Sequence, residues 1–187
     1  IKIAPSILAA DLININEEVQ LVDKKGAEYI HIDIMDGHYV PNITFGPNIV
    51  KSLRPVTNKI LDVHLMISPV KKYIDNFIDA GADIISFHPE ADDKPSEIIK
   101  LIKDRNCKVG IAIHPNIKLA DVIQFLELTD MVVVMTVIPG FGGQKFMESE
   151  VAKIIELKKI KNEKKLNFEI EIDGGINNET AKICKES

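Results

Sequence analysis

The stretch HIDIMDGHYVPNITFGP, residues 31–47, combines the pattern of a buried strand with charged side chains. Its first residues belong to YIHIDIMD, residues 29–36, where isoleucines alternate with one histidine and two aspartates. A packed strand gains nothing from charge, because a buried ionisable group is unfavourable unless it is paired. These charged residues therefore indicate a function, and the rest of the chain must supply their partners.

Apolar runs of the same kind recur along the chain and alternate with amphipathic stretches. Seven runs rich in β-branched residues predict strands at residues 1–8, 29–36, 60–66, 84–90, 109–115, 131–137 and 168–175. Between them, apolar residues recur at helical spacing, as at Ile98, Ile99 and Ile102. The repeats KKGAEYI and DAGADII place a glycine stop signal just before a strand. This alternation predicts a parallel sheet covered by helices.

Polar residues end most of the predicted strands, which favours a closed (β/α)8 barrel of the α/β class over an open sheet with one switch point. We expect residues 1–187 to form a single barrel domain, since 45% of them are hydrophobic. Seven strands are readable, and INNETAKICKES predicts the seventh helix. A barrel needs one more strand and helix, so we expect the chain to stop short of its natural C-terminus.

Composition argues against several classes of protein. The net charge of −5 and the absence of Trp do not favour a nucleic-acid partner. No run of about 18 apolar residues predicts a membrane span, and the start has no signal-peptide pattern. Cys107 and Cys184 are far apart and unpatterned, which fits reduced thiols in a cytoplasmic protein.

The histidines concentrate in or just after predicted strands, namely His31, His38, His64, His88 and His114. His31 and Asp33 share one face of their strand, His64 lies on the next strand, and Asp173 ends the last one. In a barrel these strand ends converge at the mouth. Two imidazoles and two carboxylates there can bind one divalent metal, and the donor mixture suits Zn, Fe, Mn or Co.

Structural interpretations of these residues compete with the metal site. A single strand histidine is commonly a hydrogen-bonded core residue, and the whole group could form an internal salt-bridge network. His88 and His114 each precede a proline, so shaping a loop would explain them. Glu169 and Glu171 share a face with Asp173, and both the solvent side and the interior stay open for them.

Five motifs together closely resemble the ribulose-phosphate 3-epimerase family over residues 1 to about 186. They are IAPSILAADL, HIDIMDGHYVPNITFGP, LDVHLM, VMTVIPGFGGQKF and EIDGG, in that order. The resemblance implies a (β/α)8 barrel isomerase of the pentose phosphate pathway. Such an epimerase interconverts D-ribulose 5-phosphate and D-xylulose 5-phosphate with a divalent metal, and we expect a cytoplasmic homo-oligomer.

The resemblance also implies roles for individual residues. The metal ligands would be His31, Asp33, His64 and Asp173, and Asp33 and Asp173 would form the acid/base pair. The residues implied to contact the sugar phosphate are Ser6, Met35, His64, Met66, Met135, Gly140, Phe141, Gly142, Gly143, Asp173, Gly174 and Gly175. The methionines would cap the reacting carbon, and the glycine amides would hold the phosphate. A last phosphate motif of the family would lie beyond residue 187.

Two rival functions stay open on the sequence. The nearest is an epimerase for the six-carbon D-allulose 6-phosphate, although relatives of that kind tend to have FAG and DGS where this chain has FGG and DGG. The other is a catalytically silent barrel used for binding. Such a barrel would be expected to have lost a ligand or a base, and all four residues are present here.

Overall fold

The computed structural model describes residues 1–187 and contains a parallel sheet of six strands in sequential order. The strands are β1 (Tyr29–Met35), β2 (Ile60–Met66), β3 (Ile84–Phe87), β4 (Lys108–Ile113), β5 (Met131–Met135) and β6 (Glu169–Asp173). Each strand hydrogen-bonds to the next one in the chain. All carboxyl ends therefore lie at one edge of the sheet.

Helices connect the strands and precede the first one. They are α1 (Ile15–Lys24), α2 (Pro47–Leu53), α3 (Ile74–Ala80), α4 (Pro95–Asp104), α5 (Leu119–Val122), α6 (Val151–Lys164) and α7 (Thr180–Glu186). The helical patterns of the sequence account for α1, α3, α4, α6 and α7. Helices α2 and α5 were not predicted, and α5 has only four residues, which is too few to show a helical period. None of the helices combines the length and apolar character needed to cross a bilayer.

The prediction of a strand at residues 1–8 is wrong. This segment runs beside β1 and forms one isolated bridge, between Ser6 and His31. The carbonyl of Ile3 accepts from Tyr29 N at 3.3 Å, and the carbonyl of Pro5 accepts from His31 N at 2.9 Å. Pro5 has no N–H to donate, which interrupts a regular ladder. Residues 7–9 then turn into a 3-10 helix.

The sheet curls until its first and last strands meet through their side chains. β1 and β6 share no ladder. Even so, Tyr29 donates from its hydroxyl to Glu169 Oε2 at 2.8 Å, and His31 Nδ1 lies 3.2 Å from Glu171 Oε1. The six strands thus form an incomplete barrel with helices outside, which is the α/β barrel architecture that the sequence predicted.

Alternation along each strand separates an apolar outer layer from an interior that holds the ionisable side chains beside a smaller apolar cluster. Ile30, Ile32 and Ile34 join a cluster of 34 buried hydrophobic residues that includes helix residues such as Val50 and Phe77. The intervening residues of the strands point inward, because successive side chains of a strand alternate in direction. The outer layer therefore supplies most of the packing, whereas the ionisable residues share the inward positions with a cluster of seven buried apolar residues.

The outer layer should carry stability independently of the interior. We expect Ile32→Ala to lower the free energy of unfolding by about 2–5 kcal/mol, because a fully buried branched side chain leaves a cavity. Urea denaturation measures this difference. The matched Ile13→Ala change, at a residue 92% exposed, should cost under about 0.5 kcal/mol. Equal losses for both variants would contradict the assignment of β1 faces.

Candidate metal and acid–base site

The inward ends of β1, β2 and β6 bring two imidazoles and two carboxylates together. Asp33 Oδ1 lies 3.4 Å from His31 Nε2 and 3.5 Å from His64 Nδ1. Asp173 Oδ2 lies 3.9 Å and 3.5 Å from the same two nitrogens. One ligand atom from each of these four residues falls within 4.8 Å of the others. The structure thus places all four predicted residues in one cluster.

Two nitrogens in this cluster lack hydrogen-bond partners. His31 Nε2 and His64 Nδ1 are buried and make no hydrogen bond, although each faces both carboxylates. Buried polar atoms are nearly always satisfied, so two orphans aimed at one point indicate a missing partner. Imidazole nitrogens and carboxylate oxygens are the donors that a transition-metal ion takes. The residues present therefore fit a metal ion.

A second pair of carboxylates holds the other side of the His31 ring. Asp62 Oδ2 lies 2.7 Å from His31 Nδ1, and Glu171 Oε1 lies 3.2 Å from it. A proton on Nδ1 can be donated to Asp62 Oδ2, which leaves the lone pair of Nε2 free on the side of Asp33. Metal-binding histidines usually have such an anchor on the remote nitrogen. Glu171, whose direction the sequence left open, is therefore an interior residue.

The pKa values of the cluster reflect concentrated negative charge. Burial alone would lower the pKa of His31, but Asp33, Asp62 and Glu171 raise it well above its usual range. Burial likewise opposes the charged form of His64, and its contacts with Asp173 and Asp33 outweigh this and raise its pKa to about 9.

The carboxyl groups respond to the same surroundings. Burial disfavours the charged form of Asp33, yet His31 and His64 hold its pKa far below the usual range. Burial and the neighbouring Asp62 raise the pKa of Glu171 to about 7, against the pull of His31. The site thus attracts positive charge, whether as protons or as a cation.

Ser6 fixes the orientation of Asp33. Its hydroxyl donates to Asp33 Oδ2 at 2.5 Å and accepts from Leu8 N at 3.1 Å. This contact engages Oδ2 and leaves Oδ1 facing the imidazoles. Asp33 is nearly buried, whereas the Asp173 side chain is 24% exposed. The two carboxylates therefore approach the mouth from different strands and with different access to solvent.

The methionines predicted to cap the site are buried beside it. Met35 and Met66 pack with Val40, and Met135 packs with Val137. All three methionines line a cavity of about 790 Å³ that also contains Ser6, His31, Asp33 and Asp173 in its wall. The cavity continues along the open side between the N-terminal segment and β6. Its apolar lining excludes water from one side of the carboxylates.

The glycines predicted to hold phosphate line the same cavity. Gly140, Phe141, Gly142 and Gly143 form the turn after β5, with Phe141 exposed. Gln144 ties this turn together by donating to the carbonyls of Ile138 and Phe141. An anion could reach the amides of this turn, because the N–H groups of Gly142 and Gly143 donate to no backbone carbonyl.

Gly174 and Gly175 follow β6 and require glycine. Both have positive φ, at 117° and 65°. A Cβ on Gly175 would meet the backbone nitrogen of Phe146 at 2.5 Å, and one on Gly174 would meet Val137 at 2.4 Å. The N–H groups of these two glycines also donate to no backbone carbonyl. They therefore present a second pair of free amides near the turn after β5.

Sequence reasoning missed several residues that complete the site. Asp62 was not singled out, although its position two residues before His64 places it on the same inward face. His88 was interpreted as a loop residue, yet its Nε2 lies 3.0 Å from His64 Nε2. Burial lowers the pKa of His88 to about 4, so its ring is neutral. His38 and His114 are not part of the four-residue cluster.

Comparison with known proteins places the chain among sugar-phosphate enzymes. The model of the ribulose-phosphate 3 epimerase family matches residues 2–187. Ribulose-phosphate 3-epimerase of Bacillus subtilis is 49% identical over 100% of this chain and 87% of its own length. The protein of the same name from Escherichia coli K12 is 41% identical over 93% of this chain and 78% of its own length.

Solved structures with low sequence identity share the fold. A 3-keto-L-gulonate-6-phosphate decarboxylase from Vibrio cholerae superposes with a TM-score of 0.65 at 15% identity, covering 99% of this chain and 95% of that one. Tryptophan synthase from Mycobacterium tuberculosis gives 0.65 at 9% identity, covering 97% and 79%. These likenesses concern the barrel alone, whereas the family match and the relatives at 41% and 49% identity concern the whole sequence. The chain belongs to the ribulose-phosphate 3-epimerase family.

Proposed function

We propose that this chain interconverts D-ribulose 5-phosphate and D-xylulose 5-phosphate by moving a proton at C3. The observation that carries this proposal is the pair Asp33 and Asp173, which come from β1 and β6 and face the same two imidazoles. Inversion requires removal of a proton on one face of C3 and its return on the other. Two carboxylates on separate strands at one mouth suit that requirement, and the names of the relatives support the substrate.

One divalent cation, Zn, Fe, Mn or Co, would be held by His31, Asp33, His64 and Asp173. The support is the pair of orphaned imidazole nitrogens and the mixed nitrogen and oxygen donor set. When bound, the cation would withdraw charge from the ketose oxygens and make the C3 proton more acidic. Asp62 and Glu171 keep His31 oriented toward this point through Nδ1.

Asp33 and Asp173 exchange roles with the direction of the reaction. One accepts the C3 proton as a carboxylate while the other donates as a carboxylic acid, so one must be ionised and the other protonated. Ser6 favours one carboxylate orientation of Asp33 through its bond to Oδ2. Both carboxylates face the same imidazoles, so each contributes to the electrostatic surroundings of the other.

The remaining lining residues orient the sugar phosphate and exclude water. Met35, Met66 and Met135 offer an uncharged, polarisable surface beside the carboxylates, which limits exchange of the proton with bulk water. The free amides in the turn after β5 and after β6 would bind the phosphate. The cytoplasmic location and the homo-oligomeric state stay predictions from the sequence.

Metal removal tests the ligand set. Exhaustive chelation should abolish epimerisation, and Zn, Co, Mn or Fe should restore part of it, with one ion bound per chain by elemental analysis. His64→Gln should reduce the bound metal, because it removes one of the orphaned nitrogens. His38→Gln, at an exposed histidine, is the matched control and should bind normally. Full activity in protein shown to be metal-free would exclude this ligand role.

Removal of the phosphate tests the glycine amides. We expect free D-ribulose to show a kcat/KM lower by orders of magnitude than D-ribulose 5-phosphate, because remote binding energy orients the reacting carbon. Inorganic phosphate should inhibit competitively against the sugar phosphate. Steady-state kinetics measure both effects, and equal turnover of free ribulose would contradict the proposal.

Separate isotope exchange for each epimer tests the two-base assignment. In D2O, Asp33→Asn or Asp173→Asn that retains metal should exchange deuterium at C3 only into the epimer that faces the surviving carboxylate. Neither variant should invert C3 at a measurable rate. NMR follows the exchange, and Asp93→Asn, at an exposed carboxylate, should behave like the unaltered chain. If either metal-loaded site variant epimerises near the wild-type rate, that residue is not one of the two bases.

A further inference from the structure

A series of side-chain contacts leads from His64 away from the four-residue cluster. Its members are His88, Glu90 and Tyr39. His64 Nε2 lies 3.0 Å from His88 Nε2. His88 Nδ1 lies 3.5 Å from Glu90 Oε1, and the Tyr39 hydroxyl donates to the same oxygen at 2.8 Å. Both histidine rings are 0% exposed. Bulk water therefore does not reach these rings.

The proton positions along this series of contacts follow from the roles of the ring nitrogens. If His64 offers the lone pair of Nδ1 to the site, its hydrogen is on Nε2. The acceptor within reach of that N–H is His88 Nε2. His88 must then carry its own hydrogen on Nδ1, which lies 3.5 Å from Glu90 Oε1 and makes no hydrogen bond at that distance. Tyr39 donates to Glu90 and holds the carboxylate at this position.

We propose that His88 is a positioning residue, which accepts a hydrogen bond from His64 and thereby keeps His64 Nδ1 directed at Asp33 and Asp173. The negative charge of Glu90 near Nδ1 favours the tautomer of His88 that can accept, and Tyr39 holds the Glu90 carboxylate in place. This inference rests on the ligand role of His64 in the proposed function. Asp62 contacts His31 directly and orients its ring. In the same way, His88 would orient His64, with a histidine in place of the carboxylate.

The same series of contacts connects the four-residue cluster to the loop after β1. Tyr39 belongs to this loop and packs against the cluster of Met35, Val40 and Met66. The loop is fixed at its start by Asp36, which accepts from the backbone N–H of Tyr39 at 2.8 Å. A change in the loop would therefore alter the hydrogen bond that orients a ligand. This explains why the histidine after β3, outside the four-residue cluster, is completely buried.

The affinity for Co²⁺ measures how far His88 orients His64, and it does so without reference to turnover. We expect His88→Leu to weaken Co²⁺ binding about 10–100-fold, the usual loss when the support of a metal ligand is removed. Its visible absorption spectrum should change as well. His88→Gln keeps an acceptor oxygen near the position of Nε2 and should recover most of the affinity. His38→Gln again serves as the exposed control and should leave the Co²⁺ affinity unchanged.

Kinetics of the same variants separate positioning from general damage. For His88→Leu we expect a lower kcat with a nearly unchanged KM for the sugar phosphate, because the glycine amides do not contact His88. Tyr39→Phe should act in the same direction and more weakly, since it removes one hydroxyl. A folded His88→Leu protein with wild-type Co²⁺ affinity and spectrum would overturn the proposal.

The tautomers themselves are observable in the unaltered chain loaded with Zn²⁺. Nitrogen-15 NMR of the imidazoles should find His64 with its hydrogen on Nε2 and His88 with its hydrogen on Nδ1. A hydrogen on Nε2 of His88 would overturn the proposal even if the Leu variant did not fold. If wild-type protein binds Co²⁺ and His88→Leu weakens it, but no sugar phosphate is epimerised, the proposed function fails and the positioning role stands.

Discussion

The interior of the sheet has to accommodate a concentration of buried negative charge. Asp33, Asp62, Glu171 and Asp173 project inward around two imidazoles, in an interior where an unpaired carboxylate is very unfavourable. Protons on the histidines offset part of this charge, as the raised pKa values of His31 and His64 indicate. A divalent cation between Nε2 of His31 and Nδ1 of His64 would offset it with both rings neutral. The stability of the interior and its chemistry thus have the same origin.

The fold meets this constraint by separating packing from chemistry on alternate residues. Isoleucines and valines on the outer face of the strands bind the helices, so the inward positions need not contribute to that core. Parallel strands with every carboxyl end at one edge then bring His31, His64 and Asp173 together from three strands. Curling of the sheet completes the site, because it moves β6 next to β1 without a shared ladder.

Much of this could be predicted because a strand has a period of two. His31 and Asp33 had to share a face, the neighbouring His64 had to join them, and Asp173 ends the last predicted strand at the same mouth. The first strand could not be predicted correctly, since residues 1–8 have strand-like composition and only the structure shows a single bridge with β1. His88 was missed for another reason. By the period of two it shares the inward face of Ile84 and Ser86, and its backbone is still extended. The proline that follows it favoured the interpretation as a loop residue instead.

X-ray absorption spectroscopy of the zinc-loaded protein reports the atoms bound to the ion and therefore tests the ligand set itself. We expect only nitrogen and oxygen neighbours at about 2.0–2.2 Å, with the multiple-scattering signature of two imidazoles. A sulfur neighbour at about 2.3 Å would assign the ion to a cysteine, although Cys107 and Cys184 lie outside the cluster. A sulfur neighbour, or a shell with fewer than two imidazoles, would contradict the account.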